Sequence, residues 1–260
     1  MTQEPRPARP LALPRLWLIS PSPRYQNLCQ FPCESAPLDN GPLRFKNVLN
    51  ERSFMGWSLA QARAVVRQRG EEQTRERILG VAAECFGTHG YAATSIRDIA
   101  REVGVTVGAI YVHFPSKDRL LVAVYEEGVH RIGEAVDAVP AALEPWQRLE
   151  AAAQAHLAAL LDNAGFARVI VRVIPTDVPE ATQDLRRLRN GYEARFRQLI
   201  DALDLAPGVD RTLLRLQLLG ALNATQAWYR RGAARTGTKD IARQFVAALR
   251  TGAAGKGRKG

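Results

Sequence analysis

The sequence is poor in cysteine. It has three, Cys29, Cys33 and Cys85. An odd number, with one inside a helical pattern, argues against a disulfide framework and fits a reducing, cytoplasmic setting. Long apolar runs are also missing. The stretch from Leu11 to Ile19 is broken by Pro14 and Arg15, so no membrane span is expected and no signal peptide is read there. There is no Gly-rich phosphate loop and no HExxH pair. The four histidines, at 89, 113, 130 and 156, are scattered. Of these, His130 has Glu126 and Glu134 at helical spacing, and a surface charge pair accounts for it. Neither an enzyme nor a cofactor nor a metal is expected.

What is present is charge, unevenly placed. The chain of 260 residues carries a formal net charge of +10. Residues 1–70 hold ten Lys/Arg against four Asp/Glu, and Arg250, Lys256, Arg258 and Lys259 lie in the last eleven residues. The middle is therefore close to neutral. Bulk charge cannot carry a nucleic-acid argument here; placed residues must.

Nine of the 15 prolines fall before residue 43, and no helical or strand period emerges there. Proline fixes φ and removes a donor, so residues 1–70 are read as a disordered, Pro-rich extension. A basic arm is the rival reading of that segment. From about Gln73 the pattern turns helical. Ile78, Ala82, Cys85 and Phe86 share a face, with Thr74 as the expected N-cap and Gly90 as the stop. A short helix follows Thr94, with Ile96, Ile99, Ala100 and Val103 as its inner stripe and Gly104 as its end. Thr106 caps a third helix running to about Val112. Pro115 and Ser116 precede a long fourth helix bearing Leu120, Val124, Ile132 and Val136. Further helices are expected at about 146–162, 164–174, 178–204, 209–231 and 238–251, and a loose basic tail at 252–260.

The segment from Tyr91 to Leu121, YAATSIRDIAREVGVTVGAIYVHFPSKDRLL, carries the function. Two short helices joined by a tight Gly-containing turn present the second helix to the major groove of DNA. Ala100 is the small residue wanted where they cross. Ile110 faces inward, and the helix from Thr106 is exposed on its other side.

This segment resembles the TetR (tetracycline-repressor-like) family, over Thr74 to about Glu127. The resemblance implies an all-α fold. A three-helix helix-turn-helix DNA-binding domain over 71–120 precedes a helical effector-binding and dimerisation domain over 121–251. It implies that Tyr111, His113 and Lys117 touch phosphates. It implies that Thr94 and Ser95 offer hydroxyl or backbone N–H groups, and that Thr106, Val107, Gly108 and Ala109 sit where an operator is read. Many members carry Lys, Ser or Thr where this chain has Val107 and Ala109. Val and Ala cannot donate a hydrogen bond but can meet a thymine methyl, so shape and methyl contacts gain weight.

The implied partners are a palindromic double-stranded operator, a second copy of the chain, and a small-molecule effector. A helical adaptor that has lost DNA binding is the alternative, kept open by six Lys/Arg against seven Asp/Glu over 71–125. The stretch LLGALNATQAWYRRG is similar to the matching helix in acyl-CoA-responsive members, although Ala224 stands where a second Trp often follows. Arg168, Arg172, Asn223, Gln226 and Trp228 are the expected effector-binding residues. An acyl-CoA or another bulky apolar molecule is the expected effector. Leu213, Leu216, Leu219 and Leu222, with Ile241, Phe245 and Leu249, are the expected dimer faces.

Overall fold

Side chains that fill unpaired backbone N–H groups write the helix starts of this chain. Ser95 accepts from the Asp98 N–H, Thr106 from Ala109, Ser116 from Arg119, and Asp210 from Thr212 and Leu213. In the computed structural model, which describes residues 59–230 and 236–253, these caps open four of nine α-helices. The helices are α1 (Leu59–His89), α2 (Ile96–Val103), α3 (Val107–His113), α4 (Lys117–Asp137) and α5 (Pro145–Asp162). After them come α6 (Ala164–Arg172), α7 (Thr182–Asp201), α8 (Arg211–Trp228) and α9 (Thr238–Ala253). Among the described residues there is no strand, and no helix is long and apolar enough to cross a membrane.

Two hydrophobic clusters organise these helices. The first joins α1, α2, α3 and the start of α4 through Ile78, Phe86, Ile99, Ile110, Leu120 and Val124. It continues into Phe166 and Val169 of α6 and Leu185 of α7. The second gathers the end of α4 with α5, α7, α8 and α9 around Leu149, Leu157, Phe196, Leu218 and Leu222. No seam separates the two, because α4, α6 and α7 serve both. The crossing of these helices is close: a Cβ added at Gly128 would stand 2.8 Å from Ile170 Cδ1 and 3.0 Å from Phe166 Cβ.

Several expectations need correction. Thr74 is no N-cap: it lies inside α1, and its hydroxyl donates to the Gly70 carbonyl at 2.8 Å. The helix begins at Leu59, so the extension read over 1–70 ends twelve residues early; its remainder lies outside the described residues. Likewise α9 takes in Gly252 and Ala253, and the rest of the expected tail lies outside. The helix expected from 178 starts at Thr182. Pro175 and Pro179 lack the N–H that an α-helix interior needs, and two 3-10 turns, Pro175–Asp177 and Pro179–Ala181, stand there instead. The expected dimer faces divide as well. Leu219, Leu222, Ile241 and Leu249 are buried in the chain's own core, because they share the stripe that packs α8 and α9 on α5. Leu213 and Leu216 stay exposed, at 64% and 49%.

Candidate nucleic-acid interface and ligand cavity

Helix α3 is only seven residues long, and Ile110 is its single buried side chain. That one anchor is worth about 1.5–3 kcal/mol of transfer free energy. Val107 packs partly against the same core, and the opposite face of the helix is outward. Gly104, at φ 78°, adopts the left-handed region that turns the chain between α2 and α3, and its N–H bonds back to Ala100 and Arg101. The turn sends α3 across α2 with Thr106, Gly108 and Tyr111 exposed and Val107, Ala109 and His113 half-buried.

The residues expected to touch DNA fall into two groups. Tyr111 is 47% exposed and points away from the core. Lys117 sits in the first helical position of α4, with Nζ 4.2 Å from the centroid of the Tyr91 ring. Partial burial lowers its pKa, opposed by the nearby Asp118 carboxylate. Tyr91 in turn donates to Asp118, and burial and that bond raise its pKa. His113 lies beside the Phe114 ring at 6.3 Å. Ser95 is exposed, yet its hydroxyl donates to Asp98 Oδ2 at 2.6 Å while accepting the Asp98 N–H. Those bonds with Ser95 hold the Asp98 carboxyl below its ordinary value.

Thr94 is the correction. It is buried, its hydroxyl donates to Gly90 O at 2.8 Å, and its backbone N–H goes to Tyr91 O at 3.3 Å. Both donors close the turn between α1 and α2, so neither is left to reach a phosphate.

Three residues were missed. Val112 is 83% exposed, an apolar side chain on the outer face of α3. The signal was available: two residues past Ile110 is about 200° around a helix, so an inward Ile110 dictates an outward Val112. Arg75 lies over the Phe114 ring at 5.3 Å, and Arg77 donates to the Val103 carbonyl at 2.7 Å. These two arginines clamp α1 to the ends of α2 and α3. Only tertiary placement could show that.

The second site is a cavity of about 220 Å³ whose walls come from α4, α5, α6, α7 and α8. Val129, Ile132, Leu160, Leu219 and others make it largely apolar. One wall is polar. His156 Nδ1 meets the Tyr192 hydroxyl, and Nε2 lies 3.2 Å from Asn223 Oδ1. Complete burial pushes the His156 pKa down to about 4 against the opposing bond from Asn223, so the ring is neutral near pH 7. Burial also raises the pKa of Tyr192, which keeps its proton. A protonated Tyr192 donates to Nδ1, which fixes Nε2–H as the donor to Asn223.

Of the five expected effector residues, Asn223 lines this cavity. Arg168 and Gln226 line a different hollow, of about 170 Å³, with Leu161 and Tyr229. Arg172 Nη1 donates to the Gly87 carbonyl at 3.0 Å, and Arg168 pairs with Glu84. Both arginines therefore fasten α6 to α1, because α6 lies along α1 and turns this face toward it. Trp228 is 54% exposed and lines neither cavity. His156, Tyr125 and Tyr192 were missed. A histidine on the inner stripe of α5, between Ala153 and Leu160, was the available signal.

Comparison with known proteins agrees with both halves. The family model described as bacterial regulatory proteins, tetR family, matches residues 78–124. The model described as tetracyclin repressor-like, C-terminal domain, matches residues 142–253. The HTH-type transcriptional regulator AcrR of Shigella flexneri is 43% identical over 63 residues, covering 24% of this chain and 29% of AcrR. The chain spans about a third or less of the length of the first curated relatives it matches. The regulator PfmR of Thermus thermophilus superposes with TM-score 0.58 at 26% identity, over 66% of this chain and 96% of PfmR. AibR, solved with isovaleryl coenzyme A and operator DNA, superposes with TM-score 0.59 at 21% identity, over 68% of this chain and 97% of AibR, and shares the fold. With one model on the α1–α4 head and another on α5–α9, this chain belongs to the TetR family of bacterial regulatory proteins, not to a family of enzymes.

Proposed function

We propose that the chain is a DNA-binding repressor. It reads a palindromic operator as a homodimer, and a small molecule seated among α4–α8 releases it. The observation that carries this is α3: seven residues with one buried isoleucine, and with Thr106, Gly108, Tyr111 and Val112 exposed. A helix so presented suits a major groove about 12 Å wide. Two copies related by a two-fold axis match an inverted repeat.

Release follows from shared helices. The cavity touches Tyr125, Val129 and Ile132 of α4 and Ile170 of α6. The same α4 begins at Lys117, beside α3. A ligand that prefers one tilt of α4 shifts the population of head positions and so weakens operator binding.

The test is selection of duplexes from a random pool by the full chain, followed by gel shift. An enriched inverted repeat whose shift is lost in the Tyr111→Ala, Lys117→Ala double variant supports the reading. A chain that enriches no duplex is an adaptor instead.

A second reading takes an acyl-CoA as effector, favoured by the likeness to AibR. Against it, the arginines expected to hold a coenzyme's phosphates, Arg168 and Arg172, are already engaged with α1. Release of the selected duplex by isovaleryl-CoA at micromolar concentration would establish it.

A further inference from the structure

The cavity among α4–α8 carries an inference about what it takes, one that rests on the regulator reading. Among the described residues, two polar groups in its wall have no hydrogen-bond partner. One is the Tyr125 hydroxyl, on a side chain only 1% exposed. The other is the Asn223 Nδ2 amide, whose Oδ1 is spent on His156. Two donors that face one apolar chamber without a partner in the protein mark a place for an acceptor. Burial raises the Tyr125 pKa, with Arg189 opposing and Glu193 adding to the rise, so the hydroxyl keeps its proton to donate.

Charge narrows the class further. The charged groups in the wall are Arg189 and Glu193, and Arg189 Nε lies 3.2 Å from Glu193 Oε1. Glu193 also binds Arg215, which stands behind it. A carboxylate in the chamber would meet Glu193 and find no unshared cation, while its own hydration was lost. Size sets the other bound. An apolar cavity of about 150 Å³ takes benzene. One of about 220 Å³ takes a substituted ring or a short branched chain, not a coenzyme.

We propose that this cavity binds a small, uncharged, mainly apolar molecule through one carbonyl-type oxygen, which accepts from the Tyr125 hydroxyl and the Asn223 amide. The His156–Tyr192 pair acts as a positioning unit: it holds Asn223 with its Nδ2 turned inward.

Four probes of related shape test this on the full-length protein by calorimetric titration: butyrophenone, butylbenzene, 4-phenylbutanoate and isovaleryl-CoA. Butyrophenone is expected to bind tightest. Butylbenzene, which lacks the acceptor, should bind about tenfold more weakly, as for the loss of one or two neutral hydrogen bonds. The Tyr125→Phe variant keeps the ring and should lose about fivefold for butyrophenone and nothing for butylbenzene. Asn223→Ala should show the same selective loss, and keeps the test open if one variant fails to fold. Equal binding of butyrophenone and butylbenzene, tighter binding of the carboxylate or the coenzyme ester, or no binding by any probe would overturn the proposal. Gel shift in parallel separates the two readings. A chain that still retains its selected duplex but fails these titrations loses only the ligand class, whereas one that never retains DNA loses the regulator reading too.

Discussion

The α1–α4 head and the α5–α9 half satisfy their polar groups over different reaches. In the head most bonds close within four residues: Ser95 with Asp98, Thr106 with Ala109, Thr94 with Gly90. In the other half similar local bonds are joined by many that cross the fold. His156 reaches Tyr192 at 36 residues' separation and Asn223 at 67, and Arg195 reaches Asp137 at 58. Local bonds make a shape that its own short sequence specifies. Long-range bonds make a shape that depends on several helices at once, and so one that a ligand among them can bias. The larger half also encloses an interior cavity that several helices share.

The largest effect is expected at the head. Replacing Tyr111 and Lys117 together by Ala removes two expected phosphate contacts. Operator affinity should fall by roughly a hundredfold or more, about 3 kcal/mol, with helicity and thermal unfolding unchanged. Gel shift beside circular dichroism measures both.

An effect of similar size belongs to the larger half and acts on stability. His156 is neutral when folded, with a pKa near 4 against an ordinary 6.5. The unfolded chain therefore takes up a proton first as pH falls. This contribution is intact above pH 6.5 and is lost progressively between pH 6.5 and 4. At its lower end the loss is about 3 kcal/mol. Urea unfolding at stepped pH should show that slope, and His156→Gln should flatten it.

The junction gives a smaller effect. Gly128→Ala pushes a methyl against Ile170 and Phe166 and should cost about 1–3 kcal/mol. Smallest is Thr94→Val, at about 1 kcal/mol of unfolding free energy from the lost bond to Gly90. The affinity of the folded protein for its operator should not change. A large drop in affinity would restore Thr94 to the interface.

The difference in reach also explains what could be read in advance. Ser95, Gly104 and Thr106 announce the ends of α2 and α3 because capping is a matter of three or four residues. The α2 stripe Ile96, Ile99, Ala100 and Val103 is buried as its period requires. The TetR resemblance rested on this segment. Arg168 and Arg172 misled because a charged face one turn apart does not say which neighbour will meet it. That neighbour is α1, more than 80 residues away in sequence. His156, Tyr125 and Tyr192 each look like ordinary core residues along their own helices. They become a polar wall only when α4, α5 and α7 converge.

Because α4 and α6 lend side chains to both hydrophobic clusters, the described helices cannot be divided like beads on a string. A chain severed after Arg119 would leave Ile78, Phe86 and Ile110 without Leu120, Val124 and Phe166 over them, and the fragment would be sticky and poorly ordered. Melting should run as a single cooperative step. A chimera that borrowed another regulator's sensor would have to import α4 and α6 along with it.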